Sequence, residues 1–98
     1  MIEFKYATEL VNAFSGEYSV NIMMNLHGRE ISFERLGELS HVSLDDLSEQ
    51  LDAFAHAGIV IRENRGRVEY VSVNPKMGLL VGNFLRNKGC FGDDSGNN

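Results

Sequence analysis

The chain has 98 residues, 43% of them hydrophobic, with nine basic and fourteen acidic side chains and a formal net charge of −5. That composition excludes wholesale disorder, and a chain this short gains materially from burying a face in a dimer. No apolar run approaches the ~20 residues of a membrane span, MIEFKYATEL does not read as a signal peptide, and a lone Cys90 excludes an internal disulfide. A soluble, cytoplasmic protein is expected, with one domain over residues 1–87 and a disordered tail over 88–98 (KGCFGDDSGNN).

In chain order, the spacing predicts a first helix over residues 3–14, with Phe4, Ala7, Val11 and Phe14 on one stripe and Leu10 widening it. Ser15-Gly16 breaks it. A second helix from Tyr18 to His27 faces inward through Val20, Met23, Leu26 and His27, flanked by Tyr18 and Ile22, and Gly28 stops it. The Met23-Met24 pair reads as core filling. Arg29-Glu30-Ile31 is long enough only for an edge strand. Ser32 caps a third helix, Phe33 to Ser40, buried through Phe33, Leu36 and Leu39. His41-Val42 is then a tight turn.

The stretch from Ser43 to Tyr70 organises the rest. Leu44, Leu47, Leu51 and Phe54 fall at i, i+3, i+7 and i+10 of an amphipathic helix. Ser43 can cap that helix, with Asp46 as the acidic half of a capping box, and Gly58 supplies the positive φ that ends it. Ile59-Val60-Ile61 and residues 68–73 (VEYVSV) read as the strands of a hairpin closed by Asn64-Arg65-Gly66-Arg67. Asn74-Pro75 starts a last helix, to Asn87, buried through Met77, Leu80, Val81, Phe84 and Leu85. Gly78 and Gly82 lie beside that stripe. Each lowers helix stability by about 1 kcal/mol relative to alanine, which suggests close approach by another backbone.

Charge is unevenly spread. Residues 1–58 hold three basic groups against ten acids, whereas residues 59–88 hold six basic groups against two acids. The positive field therefore belongs to the hairpin and the last helix, and residues 43–57 carry four acids with no Lys or Arg.

Helix, turn, helix, two-stranded wing and flanking helices resemble the winged helix-turn-helix superfamily, a mainly α fold with a small β-hairpin (α+β). Within it the chain is similar to the small ArsR-like transcriptional regulators. The likeness rests on Ser43, Ser48, Gln50, Leu51, Phe54, Ala57, Gly58, Ile59 and Val60, followed by Gly66, Arg67 and Tyr70. The metal-binding cysteines of that family are missing from residues 33–40, and the last helix has no histidine or acid, so no metal or other cofactor is expected.

The resemblance implies a DNA-binding transcriptional regulator acting as a homodimer joined through helices 3–14 and 75–87. Its recognition helix would be residues 43–57 and its basic wing 62–67. The residues implied for double-stranded DNA are Ser43, Asp45, Asp46, Ser48, Glu49, Gln50, Arg62, Arg65 and Arg67. Carboxylates can accept from cytosine N4, but they repel phosphates, so the wing arginines must compensate. The alternative is a protein-interaction module that has lost DNA binding and takes a basic protein partner. No enzyme is expected: His27, His41 and His56 sit on separate elements without ligand spacing, and Ser48 lies in no nucleophile elbow.

Overall fold

The computed structural model describes residues 11–87. Most of the helix expected over 3–14, and all of the tail expected over 88–98, lie outside them; residues 11–13 are helical. In order follow α1 (Ser19–Leu26), β1 (Ile31–Ser32), α2 (Phe33–Ser40), α3 (Leu44–His56), β2 (Val60–Arg65), β3 (Val68–Val73), a 3-10 turn (Pro75–Met77) and α4 (Gly78–Asn87).

Local chemistry sets most of these boundaries. The Ser32 hydroxyl accepts from Arg35 N–H to start α2, and the Ser43 hydroxyl accepts from Asp46 N–H at 3.1 Å to start α3. Between them, His41 takes the left-handed conformation (φ 58°) and Val42 N–H closes on the Gly37 carbonyl. Three residues thus suffice to turn one helix across the next. At its far end, α3 stops in a Schellman motif: Ile59 N–H bonds Phe54 O, Gly58 N–H bonds Ala55 O, and Gly58 has φ 77°.

The sheet is antiparallel in the order β1-β3-β2. Arg65 pairs with Val68, so only Gly66 and Arg67 form the turn. Gly66 at φ 65° occupies the first central position of a type II′ turn, a conformation L side chains resist. Asn74 ties the base of the hairpin to the end of α3, its backbone N–H bonding Ile59 O and its side chain bonding Gly58 O.

One core joins these elements. Ile22, Met23 and Leu26 of α1, Leu36 of α2, and Leu47, Leu51 and Phe54 of α3 are fully buried, as are Ile59, Val71, Val81 and Leu85. Phe14 packs against both Phe54 (ring centroids 5.1 Å apart) and Phe84 (4.0 Å), pinning residues 11–14 to α3 and α4. No helix among the described residues is long and apolar enough to cross a membrane.

Several expectations need correction. On α1 the inner face centres on Ser19, Ile22, Met23 and Leu26; Val20 is peripheral, and Met24 lies on the exposed side. Burying Ser19 works because its hydroxyl donates to Phe14 O at 2.8 Å. Strand β2 runs to Arg65, well past Ile61, because cross-strand pairing continues through polar residues. The last helix opens as a 3-10 turn before becoming α4. Within the described chain, neither glycine of α4 meets a backbone: a Cβ on Gly82 would touch the His27 ring, and one on Gly78 would meet nothing.

Candidate nucleic-acid interface

Helix α3 buries Leu47, Leu51 and Phe54, which fixes what it turns outward. At 100° per residue the opposite stripe is Asp45, Glu49, Asp52 and His56, all exposed. Among the described residues, Asp45, Asp46 and Glu49 form no ion pair. Asp46 and Glu49 also line a cleft beside residues 12–18, with Glu17 and Tyr18 across from them. The face available to a groove is therefore negative, and dense enough to repel phosphates appreciably at low salt.

Gln50, expected among the DNA contacts, faces the other way: its amide donates to Ala13 O at 2.9 Å and holds the N-terminal segment onto α3. Ser43 spends its hydroxyl on the cap. Ser48 sits beside the wing, its hydroxyl accepting from Arg62 Nη2 at 3.5 Å.

Arg62, on the core-facing side of β2, is clamped. Its guanidinium bonds Glu69 through Nε and through Nη2 (3.2 Å to Oε1), bonds Asp52 of α3 at 2.7 Å, and lies 5.6 Å from the centroid of the Phe33 ring. The hydrogen bond to Glu69 holds its pKa above the ordinary value, and burial only partly opposes this. One side chain thus bolts α2, α3 and β3 together.

Arg65 is also paired, but on the outer face of the sheet. It bonds Glu30, reaches Glu63 at 3.3 Å, and stacks over Tyr70 at 4.6 Å. The hydrogen bond to Glu30, then that to Glu63, raises its pKa. Arg67 differs. At the second position of the turn it is exposed, lines a cleft with Phe33, Glu34, Glu69 and Tyr70, and forms no ion pair with any described residue.

Of the nine implied residues, the structure brings Ser48 and Arg62 together and leaves Asp45, Asp46, Glu49 and Arg67 open. Sequence reading missed the roles of Glu69, Asp52 and Glu30 as arginine partners. Alternation in the strands could have found Glu69, two places diagonal to Arg62; nothing local signals Glu30. No cluster of His, Cys, Asp or Glu among the described residues could hold a metal.

No family model matches the chain, and no curated protein matches it. Solved structures do, at low identity. The homodimeric winged helix-turn-helix DNA-binding domain Mb0332 from Mycobacterium bovis, a possible ArsR-family transcriptional regulator, is 15% identical with TM-score 0.78, covering 94% of this chain and 86% of that one. HlyU from Vibrio cholerae is 19% identical with TM-score 0.75 over 88% and 97%. The transcriptional repressor BigR from Xylella fastidiosa is 14% identical with TM-score 0.75 over 93% and 90%. The chain has the winged helix-turn-helix fold.

Proposed function

We propose that the chain is a non-enzymatic, DNA-binding transcriptional regulator of the cytoplasm, acting as a winged-helix dimer whose protomer is a single domain over residues 1–87. The observation that carries this reading is an outward, unpacked face on α3 together with an exposed Arg67 at the wing tip that forms no ion pair among the described residues. In this arrangement α3 enters the major groove and Arg67 contacts the backbone or the adjacent minor groove. Ser43, Asp45, Asp46, Ser48 and Glu49 border the reading face. Gln50 and Arg62 act behind it as supports, and Arg65 contributes only when it leaves Glu30.

The homodimer is supported by apolar side chains that stand exposed among the described residues. Val11 is 67% exposed and Leu79 80% exposed, and Val11, Phe14, Leu80 and Phe84 line an apolar cleft between residues 11–14 and α4. Its likeness to the homodimeric Mb0332 domain supports the same assembly. In such a dimer two copies of α3 read half-sites about one helical turn apart, ~34 Å.

Fluorescence anisotropy with duplexes selected from a random pool tests the reading. Binding should fall in Arg67→Ala, and its salt slope should become shallower by about 1 per protomer. A wild-type protein that selects no duplex even at about 50 mM salt refutes it. The unpaired Asp45, Asp46 and Glu49 favour a second reading in that event. The same face would then dock a basic protein segment, and Asp45→Asn/Glu49→Gln should abolish capture of a lysine-rich peptide.

A further inference from the structure

Leu44 is the first residue of α3, at the end where a recognition helix meets base edges, and it is 45% exposed. Its position is built in. A Cβ on Gly37 would come within 2.9 Å of Leu44 Cδ2 and 3.3 Å of the Val42 carbonyl. A glycine inside the short helix α2 lowers helix stability by about 1 kcal/mol relative to alanine. The space it opens lets the turn close and seats one methyl of Leu44 against α2. Nearly half of the residue nonetheless stays accessible at the start of the helix.

We infer that Leu44 is a specificity-determining residue that reads the C5 methyl of a thymine in each half-site; this rests on the DNA-binding reading above. In the major groove that methyl is the one apolar group a base pair presents. The face of α3 carries no Lys or Arg with which to read guanine in the usual bidentate way, so its discrimination falls on other contacts. An aliphatic side chain held at the leading turn is suited to this one, and desolvating a methyl against it avoids the repulsion that burdens its acidic neighbours.

The test replaces each thymine of a selected duplex by uracil, which lacks the methyl and keeps every hydrogen-bonding group. At one position of each half-site, a single replacement should weaken wild-type binding about 4-fold, the worth of one buried methyl. Leu44→Ala, which removes the contact in both half-sites, should bind the thymine duplex about 16-fold weaker and be blind to that replacement. Leu44→Met, which keeps an apolar chain of similar reach, should stay sensitive, and it carries the test if the alanine variant loosens the turn. Indifference of the wild type to uracil at every position, or an undiminished response in Leu44→Ala, overturns the inference while leaving DNA binding intact. A chain that selects no duplex overturns both, so the two failures are distinguishable.

Discussion

The outer stripe of α3 and the β2–β3 wing carry opposite charge, but they handle it in opposite ways. Asp45 and Glu49 stand in solvent with no cation beside them among the described residues, whereas two of the three wing arginines already hold carboxylates. A count of charges along the chain makes the wing the attractive half of the molecule. Paired in space, most of that attraction is spent internally, and the repulsive half is left nearly whole. Net charge by segment therefore overstates the pull of this wing on a polyanion. Affinity should rest on few phosphate contacts, and its salt dependence should be gentle for a winged helix.

The largest effect should come from removing the repulsion. Asp45→Asn/Glu49→Gln is expected to tighten binding to random duplex DNA about 30-fold at low salt, with the gain shrinking as salt is added. Anisotropy titrations at two salt concentrations measure it, and unchanged affinity would mean that the stripe never approaches phosphate. Next is the clamp. Arg62→Ala strands Glu69 and parts α3 from the sheet, so stability should fall by about 1.5 kcal/mol, a drop of roughly 5–10 °C in Tm. Arg65→Ala, on the outer face, should leave the melting midpoint where it is. Equal melting of the two variants would erase the distinction between the arginines. The smallest expected effect is Gly66→Ala, which places a Cβ on a residue with φ 65° and should reduce stability by about 1 kcal/mol. Chemical denaturation reads that loss, and a DNA titration should show Arg67 less well placed.

The fold was legible because its signals are local. Ser32 and Ser43 cap helices as their sequence contexts require, Gly58 ends α3, and Leu47, Leu51 and Phe54 are buried together as their spacing predicts. The interface was legible only in outline. Glu30 lies 35 residues from Arg65, and Asp52 lies ten from Arg62 across a helix end and a turn, so no window of sequence joins them. Gln50 fits the resemblance by position, yet its side chain answers to Ala13, a contact set by how residues 11–14 pack. The glycines of α4 find no backbone partner among the described residues: at Gly82 the nearest group is the imidazole of His27, 3.7 Å from where a Cβ would stand.

The Arg62 clamp also bears on how such a protein could be controlled. With one guanidinium gripping helix α3, strand β3 and the ring of Phe33, helix α3 and the β2–β3 hairpin are joined as one unit, like one jaw of a pair of calipers. A signal that loosened DNA would gain little by bending that jaw. In the proposed dimer it would act instead on the gap between two copies, along the cleft lined by Val11, Phe14, Leu80 and Phe84.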